Sequence, residues 1–403
     1  MRTHIFKVFE NLRGKLNRAK CGEFCSLLID GSKRYKLNFY GFIVHSRSQL
    51  FYFQIKNFIS TDSKSISFET ANIINFIQNE LNIEIISICT DHAANMKRAF
   101  NSSESFSTQI LTDSFFEWIG CFSHLLNLCI DDLFKNNEFS KNFKILNKYL
   151  DICRNYEWPN IPTFCKTRWE SLAKCFNTIY THKTQIINHL NIKITELNNK
   201  LTKNKGQLNI NSIISERSEL TYLLQIGFFN SRFFETAKII TNIADLIFFV
   251  GSDNCLIYQV FPEIIEFIDF LNSLSTTNFT QIIKERIFNS DEFQIARAAY
   301  FFTPNGFKYF QNLENEEKNF EISQIKSYLD YYFGSRFLCL SEEENEKNNE
   351  IYERQFNFLV SMIEIPDLND IYEFWYNMRS DDDLSMMSEI ALGLLSMPCS
   401  EAA

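Results

Sequence analysis

The sequence predicts an α/β protein: a mixed sheet with helices on both faces, interrupted by a large all-α insertion. Three observations carry this. Between residues 21 and 139, short apolar runs of strand composition alternate with stretches of helical spacing. Two of the apolar runs end on an aspartate, Phe24-Cys25-Ser26-Leu27-Leu28-Ile29 on Asp30-Gly31 and Ile85-Ile86-Ser87-Ile88-Cys89 on Thr90-Asp91. From about 140 to 380 the apolar residues recur at helical spacing with few strand signals.

Each element follows in order. A basic segment, about Ile5 to Lys20, is expected as an opening helix, so residues 1–20 are set apart from the core at 21–139. After the run that ends at Asp30 come two β-like runs, Leu37 to His45 and Leu50 to Lys56. The four residues between them, Ser46-Arg47-Ser48-Gln49, have hairpin length. Phe68, Ile73, Ile74, Ile77 and Leu81 predict an amphipathic helix over 68–81. The run 85–89, with three isoleucines, has the composition of a strand covered on both faces. Ala93 to Phe100 is expected as a short helix, Phe115 to Cys121 as a strand, and His124 to Phe134 as a helix. Right-handed crossover puts the fourth strand parallel to the first and beside it, bringing Asp30 and Asp91 together at one edge. That order is a ribonuclease-H-like arrangement.

Within 140–380, Phe233, Ala237, Ile240, Ile243, Ala244 and Ile247 mark one helix, and Leu256, Val260, Ile264, Phe267 and Ile268 another. The polar stretches Asn198 to Asn211 and Ser341 to Glu350 are expected as exposed loops. Residues 381–403 return toward the core, with a helix from Leu384 to Leu395 that ends before Met397-Pro398.

Composition bounds the function. Of 403 residues, 45% are hydrophobic and 22% charged, which suits a folded protein and excludes disorder over most of the chain. The net charge of −9 gives no bulk attraction for nucleic acid. The charge is uneven, however: residues 1–36 hold nine Lys or Arg against three Asp or Glu, whereas 341–403 hold three against fifteen. Nucleic-acid contacts are therefore expected from the first part and from local patches. Eleven scattered cysteines without a Cys-x-x-Cys pair suggest reduced thiols in a cytosolic or nuclear protein. No signal peptide or apolar stretch of membrane-spanning length is present, so no membrane partner is expected. A Gly-x-Ser-x-Gly elbow and a Walker phosphate loop are both absent.

Asp30 and Asp91 are the candidate metal ligands and catalytic carboxylates. Two-metal phosphoryl transfer needs rigidly held carboxylates around Mg²⁺ or Mn²⁺ ions about 3.5 to 4 Å apart. The competing reading is a turn at Asp30-Gly31 and a helix cap at Asp91. Cys121 and His124 stand three residues apart at a strand-to-helix junction; zinc would need two further ligands, and buried structural roles compete. Arg168 and Trp169 open a helix after a Pro-containing loop. They suit phosphate binding and stacking on an exposed base, or anchoring of the loop in the core.

Taken together, these motifs resemble the hAT (hobo, Ac, Tam3) superfamily of cut-and-paste DNA transposases. The matching segments are Leu28-Ile29-Asp30-Gly31, Thr90-Asp91-His92-Ala93-Ala94-Asn95-Met96, Gly120 to Leu128, Thr167-Arg168-Trp169-Glu170-Ser171 and Leu394 to Ala403, in family order and across nearly the whole chain. The resemblance implies a ribonuclease-H-like core carrying an Asp-Asp-Glu triad, with Asp30 and Asp91 as its aspartates. It implies that Cys121 and His124 are the family's Cys-x-x-His signature, and that Arg168 and Trp169 contact transposon-end DNA. It further implies Mg²⁺ or Mn²⁺ as cofactor, DNA as partner, a possible homo-oligomer and a nuclear location.

Two departures are set against this. No paired Cys/His zinc finger precedes the core, and the family's glutamate, which follows a Pro-x-Ser-x-Ala-type segment, is expected beyond Ala403. Glu401 aligns with a variable position. The expectation is a transposase-like chain, fragmentary or degenerate, that binds DNA and divalent metal without efficient cleavage. Its competitors are a domesticated non-catalytic DNA- or protein-binding module and an unrelated nuclease completed by a carboxylate from the insertion, Glu235 or Glu263.

Overall fold

A computed structural model describes residues 24–34, 37–46, 49–58, 60–81, 83–100, 116–155, 162–163, 169–203, 210–227, 231–252, 255–274, 277–337, 341–362 and 370–400. The expected opening helix lies outside them. The chain divides into two compact units. One comprises Met1–Leu125, Phe249–Ile265 and Phe288–Ala403, the other Leu126–Phe248 and Glu266–Ile287. Helices within the range 140–380 thus contribute to both units.

The first unit is built on a five-stranded mixed sheet: β1 (Cys25–Arg34), β2 (Leu37–Ser46), β3 (Gln49–Phe58), β4 (Ile85–Thr90) and β5 (Glu117–Gly120), in the order β3-β2-β1-β4-β5. The pairs β1–β2 and β2–β3 are antiparallel, and β1–β4 and β4–β5 are parallel. Helix α1 (Ser63–Leu81) makes the crossover from β3 to β4. It begins five residues earlier than the apolar spacing predicts, because Asp62 Oδ1 accepts from the Ser65 N–H and opens the helix on polar residues. Its Ile66, Ile73, Ile74 and Ile77 pack with Leu27, Ile29, Phe42 and Val44 of the sheet into one core. Near-complete burial of each such side chain is worth about 1.5–3 kcal/mol. Helices α2 (Ala94–Phe100) and α3 (Phe122–Lys135) follow β4 and β5.

The second unit contains α4 (Asn137–Asn155), α5 (Trp169–Thr181), α6 (Lys183–Lys203), α7 (Ile210–Tyr222) and most of α8 (Ser231–Val250). Tyr149 packs edge-on against Phe233 and donates to the Leu223 carbonyl at 2.6 Å, while Asn142 Nδ2 donates to Thr236 Oγ1 at 2.8 Å. Helix α9 (Ile257–Asn272) and α10 (Thr277–Phe288) complete this stretch. The first unit resumes with α11 (Asp291–Phe301), α12 (Pro304–Gln311), α13 (Asn315–Phe337), α14 (Glu342–Ser361), α15 (Ile371–Asn377) and α16 (Ser385–Leu395). Gly393 of α16 lets the Tyr332 hydroxyl approach; a Cβ there would lie 2.7 Å from it.

Two expected loops are corrected. Ser341 to Glu350 is helical: Ser341 and Glu344 form a capping box, and Glu342, Glu343 and Glu344 favour the positive end of the helix dipole. The stretch 198–211 is helical at both ends, with α6 running to Lys203 and α7 starting at Ile210. Ile186, Leu190 and Leu197 are buried along one side of α6 and carry it past the polar composition. Among the described residues, no helix is long and apolar enough to cross a membrane.

Candidate functional site

Parallel pairing of β1 and β4 ends at Ile29↔Thr90, so Asp30 and Asp91 leave the shared ladder at the same level. Asp30 is not the end of β1, as the sequence suggested. The strand runs on to Arg34 because β2 continues to pair with it, Asp30 opposite Gly41 and Gly31 opposite Tyr40. Asp30-Gly31 is therefore extended strand rather than a turn. Asp91 does end its strand. Its Oδ1 accepts from the Ala93 N–H at 3.0 Å, a local turn just before α2. Thr90 Oγ1 donates to the Asp91 carbonyl at 2.9 Å and accepts from Trp118 Nε1 at 3.0 Å. The backbone at Asp91 is thus fixed from β5 as well as from β4.

Asp30 senses the Asp91 charge. Asp30 keeps a solvent-facing surface, yet the protein around it displaces enough water to raise its pKa, and the Asp91 charge raises it further. The Gly31 N–H and the His124 imidazole pull in the opposite direction. Tyr40, opposite Gly31, is raised mainly by burial; its hydroxyl meets Asn95 and also feels Asp91. Cys121 and His124 flank the start of α3 beside this pair. Cys121 is buried, its N–H donates to the Thr90 carbonyl at 2.8 Å, and its Sγ lies 3.2 Å from Ser400 Oγ.

Two neighbouring carboxylates whose charges oppose each other make a donor set that a divalent cation would relieve. Mg²⁺ is commonly held by one or two carboxylates, with water and phosphate oxygens filling its octahedron, so Asp30 and Asp91 fit that ion as a partial set. Among the described residues, no group of three or more His, Cys, Asp or Glu side chains is arranged to hold a metal by itself. Glu235 lies on α8 in the second unit, and Glu263 is exposed on α9. Arg168 and Glu401 lie outside the described residues, as does the side chain of Trp169.

One cluster escaped sequence reasoning. Glu292, in the first turn of α11, turns inward and is 3% exposed. Its Oε1 stands 3.5 Å from Nε2 of His92, the residue after Asp91. Both lie over Gly120 at the end of β5; a Cβ there would come within 2.2 Å of Glu292 Oε1 and 2.5 Å of the His92 ring. His92 also meets Trp118 edge-on, ring centroids 6.1 Å apart. Burial pushes Glu292 up to about 7, with the Asp291 charge adding to it. Burial, then the His124 and Lys97 charges, push His92 down to about 4. Near neutral pH the pair is a neutral imidazole beside a partly protonated carboxyl, not an ion pair. The available signal was the near-continuous apolar run Phe293 to Phe302 after Glu292, which leaves α11 little solvent face.

No protein-family model matches the chain, and no curated protein matches it.

Proposed function

We propose that this chain is a hAT-transposase-like protein with a ribonuclease-H-like core, binding a divalent metal and DNA phosphates through Asp30 and Asp91. The observation that carries the reading is the placement of these two carboxylates side by side where the parallel strands β1 and β4 part. The strand order β3-β2-β1-β4-β5, three antiparallel strands followed by two parallel ones, supports it. So do the five motifs in family order, which bear equally on Cys121 and His124 as the signature pair and on Arg168 and Trp169 as DNA contacts.

In this reading Asp30 and Asp91 are the protein's ligands to Mg²⁺ or Mn²⁺, and the metal, when bound, supplies Lewis-acid stabilisation of charge on a scissile phosphate. Asp91 is held for this by Ala93, Thr90 and, through Thr90, Trp118. Removing one member of a cooperating catalytic set usually abolishes most activity. The reading is one of metal and DNA binding without efficient cleavage, in the nucleus.

The test is a nicking and hairpin-formation assay on terminal-repeat DNA with Mg²⁺ or Mn²⁺, run beside a binding assay on the same DNA. Metal-dependent DNA binding without turnover is expected. Robust cleavage that disappears in Asp91→Asn would overturn the non-catalytic part of the reading; loss of neither binding nor cleavage in that variant would overturn the site.

A further inference from the structure

His92, Gly120 and Glu292 come from three distant parts of the chain and meet at one point beside Asp91. Glu292 meets its own N–H and Ser290 at the start of its helix, but the cap itself is made by other residues. Ser290 is the N-cap of α11: its Oγ accepts from the Phe293 N–H at 3.2 Å, and its carbonyl accepts from Gln294. Asp291, also in the first turn, supplies an exposed negative charge for the helix dipole. A buried carboxyl is costly unless something is gained from it. Glu292 occupies the space over Gly120 that any side chain at that position would fill, where its carboxyl meets the Gly120 N–H and, 3.5 Å away, Nε2 of His92. The imidazole is thereby held between Glu292 on one side and the Trp118 ring on another.

His92 stands in sequence between Asp91 and Ala93, the residues joined by the Ala93 N–H to Asp91 Oδ1 bond, so its backbone is part of the turn that aims this carboxylate. We propose that Glu292 is a positioning residue for the Asp30–Asp91 site: it holds His92 over Gly120, and so fixes the turn that presents Asp91 to a divalent metal. This rests on the metal-binding reading above. Groups that orient a metal site's ligands typically change metal affinity about 10–100-fold when removed. A carboxyl that merely filled space would change stability and leave affinity alone.

The experiment uses Mn²⁺ itself as the probe, with affinity and spectrum read by electron paramagnetic resonance on the full chain. In parallel, the ring resonances of His92, one of six histidines, are assigned by their loss in His92→Asn. Glu292→Ala is expected to weaken Mn²⁺ binding on the order of tenfold and to shift the His92 resonances, whereas Glu292→Gln, which keeps the size of the side chain and its place beside the imidazole, restores both. His92→Asn should weaken binding similarly, and the double variant His92→Asn/Glu292→Ala should be no weaker than either single one. That arm keeps the test open if Glu292→Ala folds poorly. Ser341→Ala, which removes the capping box that starts α14 and so destabilises the fold for another reason, should leave Mn²⁺ affinity unchanged. Wild-type affinity in Glu292→Ala, or additive losses in the double variant, would overturn the inference while leaving the metal site standing. Absence of Mn²⁺ binding in the wild type would overturn the reading on which it rests.

Discussion

Replacing Glu117 by Gln should reverse the alkaline weakening of the fold. Glu117 lies on β5, 6% exposed, and its Oε2 has no hydrogen-bond partner among the described residues. Burial, with a smaller contribution from the Asp291 charge, raises its pKa from 4.5 to about 8, and the Tyr328 hydroxyl opposes this only in part. The sign follows from proton linkage. The folded state holds the proton that the unfolded chain releases above pH 4.5, so stability falls as pH rises from 4.5 to 8 and the full penalty remains above 8. A span of that size corresponds to on the order of 4–5 kcal/mol. A glutamine cannot ionise but leaves an amide to satisfy, at about 1–2 kcal/mol. Glu117→Gln should therefore be more stable than wild type by about 3 kcal/mol at pH 9, roughly 3–6 °C in Tm, and equal or slightly weaker at pH 5.

Thermal unfolding followed by circular dichroism at pH 5, 7 and 9 reads this difference. Parallel pH profiles for the two proteins would refute the reasoning, because they would mean that Glu117 does not carry a buried proton. The acid side has its own marker: burial lowers His45 and His92 to about 4, so stability should also fall as pH drops from 6.5 to 4 in both proteins.

Two smaller changes test the fold elsewhere. Ser341→Ala removes the capping box that starts α14 on an acidic turn and should cost about 1 kcal/mol, seen as a lower urea midpoint with an unchanged slope; an unchanged midpoint would mean that 341–350 is not helical in solution. Trp375→Phe deletes the buried hydrogen bond from Trp375 Nε1 to the Phe302 carbonyl, 2.8 Å long, and leaves that acceptor without its donor. A loss of about 2–4 kcal/mol is expected from the unmet carbonyl and the smaller ring together, and a loss below 0.5 kcal/mol would contradict this packing.

The sheet was legible in the sequence because its strands are short apolar runs with turn residues between them, and because right-handed crossover leaves one place for the strand 85–90. The adjacency of Asp30 and Asp91 followed from that topology alone. The path of β1 beyond Asp30 did not: Gly31-Ser32-Lys33-Arg34 is polar and turn-like, and only pairing with β2 keeps it extended. Polar runs misled for a related reason at 341–350, where the same glutamates that suggest a solvated loop stabilise the first turn of a helix. The Glu292–His92 contact was hidden by sequence distance. Ser290-Asp291-Glu292 reads as an ordinary helix start, and only the fold shows that the second acid faces inward over Gly120.

If Asp30 and Asp91 together bind a divalent cation, calorimetric titration of the full chain with Mn²⁺ reads that binding. Saturable binding that is lost in both Asp30→Ala and Asp91→Asn, with circular dichroism unchanged, is the predicted result. No binding, or binding that survives both substitutions, would contradict it.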